Sequence, residues 1–102
     1  MMWMMVMFDL PVVEDLERKA ATAFRHTLLD LGFEMAQFSV YLRFCGGKDQ
    51  AETLTRRVES SLPDGGKVDV LYFTDKQYES IISFQQGIPC EPRKNPDQFC
   101  LF

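Results

Sequence analysis

Residues 1–11 read MMWMMVMFDLP and contain a predicted strand whose side chains are apolar on both faces. The strand is predicted over Trp3–Asp9. It ends there because Pro11, two residues further on, has no backbone N–H with which to continue the ladder. A strand without polar alternation is expected at the centre of its sheet, covered on at least one side. Asp9 is then either a solvated turn residue before proline or a functional carboxylate held by a rigid strand.

The next elements pack on this strand. A helix is predicted over Glu14–Leu31, with acidic residues in its first turn and Gly32 at its end. Its apolar positions recur at helical spacing and are Leu16, Ala20, Phe24, Thr27, Leu28 and Leu31. The block 33–45, FEMAQFSVYLRFC, is too long for one typical strand. It is predicted to form two strands with a tight turn or bulge near Gln37–Ser39.

The second half of the chain continues the alternation. A second helix is predicted over Asp49–Leu62, opened by a capping box of Asp49 and Glu52, with Ala51, Leu54, Val58 and Leu62 on one face. The block 67–75, KVDVLYFTD, is predicted as a central strand. Residues 76–79 suggest one helical turn, 81–84 a short edge strand, 85–97 an irregular linker and 98–102 an apolar terminal segment.

This order predicts an α+β fold, the ferredoxin-like β-α-β-β-α-β sandwich, in which an antiparallel sheet carries two helices on one face. The first and last strands of that unit are the most apolar and are expected in the middle of the sheet. Residues 1–84 would form the domain. Residues 85–102 would form a linker and a C-terminal strand or tail that packs on its own or a partner subunit.

Composition limits the classes of function. The chain has 102 residues and nine phenylalanines, more than one small core readily hides, which suggests an oligomer interface. No stretch reaches the length of a membrane span, and the start lacks the basic segment and cleavage site of a signal peptide. Three dispersed cysteines, Cys45, Cys90 and Cys100, favour small core or interface residues in a reducing cytoplasm over a disulfide framework or a zinc site.

Asp9 is the leading candidate for chemistry. One carboxylate cannot fill a metal site, but two chains related by a two-fold axis at this strand end would bring a pair of carboxylates together. A shared magnesium ion would relieve their repulsion and could activate water for phosphodiester hydrolysis. Asp69 and Asp75 either line such a site or serve as a strand end and a helix cap. His26 is expected to be a solvated residue of the first helix.

The net charge of −4 argues against a broadly basic surface for nucleic acid. Binding would need a local basic patch or a more basic partner. Adjacent basic pairs such as Arg18 and Lys19 are usually solvated surface, yet a dimer would double them into a stripe that phosphates can follow. Arg43 is of more interest, because it lies at a predicted strand end among aromatic residues.

Three segments resemble the CRISPR-associated protein 2 family, most closely the forms found with single-effector, type II systems. They are VMFDLP (6–11), GFEMAQFSVYLRFCGGKD (32–49) and LPDGGKVDVLYFTDKQYES (62–80). The similarity extends over residues 4–84, and the pieces QFSVY and TDKQYE are far more specific than the aspartate alone. The tail from Gln85 onward has no matching motif.

The resemblance implies a homodimer of ferredoxin-like subunits in which an aspartate after the first strand, here Asp9, faces its counterpart. It implies a nuclease dependent on magnesium or manganese that acts on RNA or double-stranded DNA. It also implies a role as the DNA platform that bridges dimers of the CRISPR integrase subunit, CRISPR-associated protein 1, during spacer acquisition. The integrase would then supply part of the missing basic surface.

Three hypotheses follow. The favoured one is the adaptor for spacer integration, in which the tail residues Phe99, Leu101 and Phe102 contact a partner and Arg18, Lys19 and Arg43 contact nucleic acid. The second is an endonuclease that uses a pair of Asp9 residues. The third is a ribonuclease toxin of similar fold, which growth arrest on expression would reveal.

Overall fold

A computed structural model describes residues 1–94 of the chain. In chain order the elements are β1 (Met2–Asp9), α1 (Asp15–Asp30), β2 (Glu34–Gln37), β3 (Val40–Cys45), α2 (Lys48–Glu59), β4 (Lys67–Thr74), α3 (Asp75–Glu79), β5 (Phe84–Gln85) and β6 (Ile88–Pro89). The fold is the predicted α+β, ferredoxin-like sandwich.

Four strands form one antiparallel sheet in the order β2-β3-β1-β4. The central position of β1 is confirmed. The prediction that residues 67–75 form a middle strand is wrong, because the β2–β3 hairpin places β3 against β1, with Leu42 opposite Met5, and β4 takes the outer side. Within residues 1–94, β4 is therefore an edge strand. Its apolar residues Leu71 and Tyr72 are exposed.

Both helices cover the same face of this sheet. Alternate residues of β1, namely Met4, Val6 and Phe8, point into the core that α1 and α2 close. Phe24 of α1 meets Phe8 edge-to-face with ring centroids 5.3 Å apart. Among residues 1–94, no long helix lies on the opposite face, and α3 lies over one end of it.

The ends of α1 follow local signals. Glu14 and Glu17 form a capping box, and Gly32 takes a φ of 90° just after the helix, as expected for a left-handed stop. The predicted apolar face is displaced by one residue at its start, since Ala21 is buried whereas Leu16 and Ala20 are exposed. Contact with the sheet begins only at Ala21, so the first turn of the helix faces solvent.

The predicted capping box of α2 is wrong. The helix begins at Lys48 with Gly47 as N-cap, and the Gln50 side chain accepts a hydrogen bond from the Gly46 N–H at 2.7 Å. The face formed by Ala51, Leu54 and Val58 is buried as predicted. Leu62 lies beyond the helix end at Glu59 and is exposed.

After β4, residues 75–79 form the single turn predicted there, with Thr74 as N-cap. The predicted short strand near Phe84 exists, but it pairs with β6 in a separate two-stranded sheet and does not extend the main one. Gln86 and Gly87, both with positive φ, make the turn of this hairpin. The predicted terminal segment 98–102 lies outside the described residues. Over residues 1–94, no helix has the length and apolar character needed to cross a membrane.

Candidate active site

Asp9 is the last residue of β1 and is exposed. Side chains alternate along a strand, so Asp9 lies on the face that the two long helices leave uncovered, together with Met5 and Met7. Its partner across the antiparallel ladder is Lys67, the first residue of β4. The positively charged residue Lys67 is therefore the cross-strand neighbour of Asp9.

The turn before β4 holds the backbone of Asp9 closely. Gly66 has a φ of 83°, and a Cβ added there would lie 2.5 Å from the Asp9 carbonyl oxygen and 2.9 Å from Leu10 Cδ2. Only glycine fits this approach without displacement. Gly66 thus allows the chain to pass close to Asp9 and place Lys67 opposite it, whereas α2 has already ended at Glu59, before the PDGG segment.

A shallow cavity of about 300 Å³ opens beside Asp9. Its polar lining includes Asp9, Ser39, Lys67 and Asp69. Asp69 pairs with Met7 across the ladder and so shares the face of Asp9, and its Oδ2 lies 3.7 Å from Lys67 Nζ. Asp69 therefore lines the cavity beside Asp9, which is one of the two alternatives that the sequence left open for it.

Asp75 has neither of the predicted roles, because it is the first residue of α3 and Thr74 is the N-cap. It lies at the opposite end of the sheet, where its Oδ1 accepts a hydrogen bond of 3.0 Å from Trp3 Nε1. Trp3 in turn stacks on Tyr78 of α3 with ring centroids 3.7 Å apart. Asp75 therefore anchors α3 to the sheet and takes no part in the Asp9 cavity.

Phe38 is a member of this cavity that the sequence did not identify. It occupies the turn between β2 and β3 and is 90% exposed. The Phe8 N–H donates to the Ser39 carbonyl at 3.0 Å and ties this turn to β1 just before Asp9. The available signal was an aromatic residue at the predicted turn within QFSVY, since turns rarely gain stability from a solvated phenyl ring.

The described part of the chain does not group enough carboxylates to fill a magnesium site by themselves. Within residues 1–94, no group of three or more histidine, cysteine, aspartate or glutamate residues is placed to hold a metal ion. Asp9 and Asp69 are the carboxylates of the cavity, whereas divalent cations commonly bind through several oxygen ligands. A cation held by Asp9 and Asp69 would take its remaining ligands from water, from a substrate phosphate or from other protein groups.

The basic residues predicted to contact nucleic acid, Arg18, Lys19 and Arg43, do not lie together in the structure. Arg18 donates from Nη1 to the Val12 and Val13 carbonyl oxygens and pairs with Asp15, so it fastens the start of α1. Lys19 is exposed on the outer surface of α1 beside His26, which is solvated as predicted. Arg43 is paired with Met4, five residues or about 17 Å along β1 from Asp9.

The cysteines and the predicted interface residues lie partly in the core, partly at the surface and partly outside the described residues. Cys45 is a buried free thiol, and burial raises its pKa, an effect that the positive charge of Arg43 opposes. Its prediction as a small core residue is confirmed. Cys90 is a free thiol at the surface. Cys100 and the predicted interface residues Phe99, Leu101 and Phe102 lie outside the described residues.

Fold and site together define a class of protein, a small ferredoxin-like subunit with a carboxylate at the end of its first, central strand. A family model described as CRISPR associated protein Cas2 matches residues 2–81. The chain belongs to this family, and the resemblance seen in its sequence motifs is confirmed.

Curated relatives agree with this assignment. Over 102 residues the chain is 61% identical to the "CRISPR-associated endoribonuclease Cas2" of Paracidovorax avenae, covering 100% of this chain and 94% of that protein. A protein of the same name from Flavobacterium psychrophilum is 46% identical, with 99% and 88% covered. Another, from Acidovorax ebreus, is 44% identical, with 99% and 100% covered.

Proposed function

We propose that this protein is an endoribonuclease whose metal-dependent active site forms between two copies of the chain. The observation that carries the proposal is the position of Asp9 on the same uncovered sheet face as the exposed apolar residues. The relatives named as endoribonucleases support RNA as the substrate class.

The uncovered face suits a second copy of the chain. Met5 and Met7 of β1 are half-buried there, and Leu71 of β4, opposite Met5, is 40% exposed. An antiparallel sheet can leave one face in water, but that face is then usually polar. A two-fold contact is self-complementary, so a residue close to the axis meets its own counterpart. If the two-fold axis passes beside the Asp9 end of β1, Asp9 would face the partner's Asp9.

Each residue of the cavity has a role in this arrangement. The two Asp9 carboxylates would hold the cation, with Asp69 close enough to add oxygen ligands. A bound magnesium or manganese ion would supply a Lewis acid and lower the pKa of water. Lys67 would neutralise a backbone phosphate, and the exposed ring of Phe38 offers a surface on which a base can stack.

The test is cleavage of single-stranded RNA by the purified dimer in the presence of magnesium. Asp9→Asn keeps the size of the side chain but removes its charge, and activity should fall to the level measured with chelator. Asp30→Asn, a matched change of an exposed carboxylate in α1, should retain wild-type activity. Cleavage that survives in Asp9→Asn would identify a contaminating nuclease and refute the proposal.

A second function is favoured by a separate observation. The β5–β6 hairpin presents Phe84 and Ile88, each 66% exposed, next to the exposed Ile82. Such a patch is costly to leave in water and is suited to a protein partner. We propose that the dimer also acts in spacer acquisition, where it binds duplex DNA and bridges dimers of the CRISPR integrase.

Spacer insertion in cells distinguishes the two functions. If the protein is an adaptor, Asp9→Ala should leave insertion largely intact, because the carboxylate is assigned to cleavage and not to binding of DNA or the integrase. Deletion of residues 98–102, which removes three apolar side chains, should weaken binding of the integrase in a pull-down. Loss of insertion in an Asp9→Ala complex that assembles normally would show that nuclease chemistry is needed.

A further inference from the structure

A second cavity, of about 510 Å³, lies at the end of the sheet opposite to Asp9, where β3 ends beside the start of β1. Small-molecule sites commonly have volumes of about 300–1,000 Å³. Its lining includes Trp3, Glu34, Arg43, Phe44, Arg93 and Lys94. None of these residues belongs to the Asp9 cavity, so its chemistry is independent of the proposed cleavage.

Arg43 is held in a fixed orientation at this cavity. Its Nε donates to the Leu31 carbonyl at 3.1 Å, and its Nη1 donates to the Phe44 carbonyl. Gly32 allows this position, since a Cβ there would lie 2.8 Å from Arg43 Nε. With Nε and one N–H of Nη1 engaged by backbone carbonyls, the second N–H of Nη1 and the two of Nη2 are left for a ligand. An arginine ordered in advance loses little entropy on binding.

Arg93 supplies a donor that lacks an acceptor. Its guanidinium lies over the Tyr78 ring, 5.6 Å from the centroid, and its Nη2 donates to Ser83 Oγ at 3.3 Å. Its Nε is buried and has no hydrogen-bond partner among residues 1–94. A buried unsatisfied donor costs about 1–3 kcal/mol, and native proteins seldom leave one. Arg93 lines the cavity, so an anion bound there would lie next to the charge of this guanidinium.

The lining defines the class of ligand. Three cationic side chains, Arg43, Arg93 and Lys94, meet a single acidic one, Glu34, in a chain whose net charge is −4. Guanidinium groups match phosphate oxygens in geometry and charge. The apolar remainder of the wall, which includes Trp3 and Phe44, suits a flat ring system. Glu34 offers an acceptor for an amino group.

We propose that this cavity binds a nucleotide, with its phosphate on Arg43 and Arg93 and its base against the apolar wall. A free mononucleotide and the phosphorylated end of a nucleic-acid strand present the same chemistry. Because Trp3 is the only tryptophan in the chain, its fluorescence reports directly on occupancy of the cavity.

The full chain is titrated with AMP and with adenosine, by fluorescence and by calorimetry. AMP should bind saturably, and adenosine, which lacks the phosphate, at least about tenfold more weakly. Inorganic phosphate should compete with AMP, which tests the anion site without any substitution. A 5′-phosphorylated dinucleotide, compared with AMP and with the unphosphorylated dinucleotide, identifies the source of the ligand. Tighter binding of the phosphorylated dinucleotide than of AMP assigns a strand end.

Arg93→Gln should weaken AMP binding by about tenfold or more. Arg56→Gln, a matched change of an exposed arginine on α2, should leave it unchanged. Asp9→Asn should also bind AMP normally, so this proposal and the endoribonuclease proposal fail separately. Equal affinities for AMP and adenosine, absence of competition by phosphate, or a response to an acidic peptide alone would overturn the nucleotide site.

Discussion

At the scale of single residues, Asp9 depends on a glycine remote in sequence. Gly66 lies against the carbonyl of Asp9 in a left-handed conformation, and the chain continues from there into Lys67, the cross-strand neighbour of Asp9. A side chain at this position would strain the backbone and press on the end of β1. The geometry of the cavity therefore depends on the absence of a single methyl group.

Gly66→Ala should destabilise the protein and displace Asp9. A left-handed conformation costs an L-residue about 1–2 kcal/mol, and the contact at 2.5 Å adds to this cost. Chemical denaturation should show the loss in free energy of unfolding. Gly65→Ala is the matched control, because a Cβ there would meet Pro11 Cγ at an ordinary 3.4 Å. Equal stability of the two variants would contradict the packing described here.

The same residues show what can be predicted from sequence and what cannot. Asp9 was identifiable because Pro11 and the apolar run fix the end of β1 from local information. Lys67 and Phe38 were not, since their approach to Asp9 depends on the register between strands distant in sequence. A slip of one residue would turn Lys67 and Asp69 to the other face, and no local signal excludes it.

At the scale of elements, the helices were predictable and the order of the strands was not. The ends of α1 were placed correctly because a capping box and a left-handed glycine act within a few residues. The apolar run of β4 predicts a position between two strands, but β4 lies at the edge of the sheet. Its residues are apolar for another reason, since the strand borders a face that the chain's own long helices do not cover.

At the scale of the whole molecule, the two faces of the sheet differ in what covers them. One face is closed by α1 and α2, and on the other the described residues add a helix, α3, at the Trp3 end alone. The Asp9 cavity lies at the end that remains open, while the proposed nucleotide cavity lies beside α3. A partner that covers the open face would complete the first site and leave the residues of the second in place.

Leu71→Lys tests whether a second copy is that partner. A lysine on the open face, opposite Met5, would bury an unpaired charge in a contact across this face, which is unfavourable. Light scattering should show a shift from dimer to monomer, with loss of RNA cleavage at protein concentrations where the wild type is active. Leu29→Lys is the matched control: Leu29 is 49% exposed on α1, against 40% for Leu71, and α1 covers the other face. Its variant should remain a dimer. If Leu71→Lys is also dimeric and active, the paired Asp9 residues cannot meet across this face.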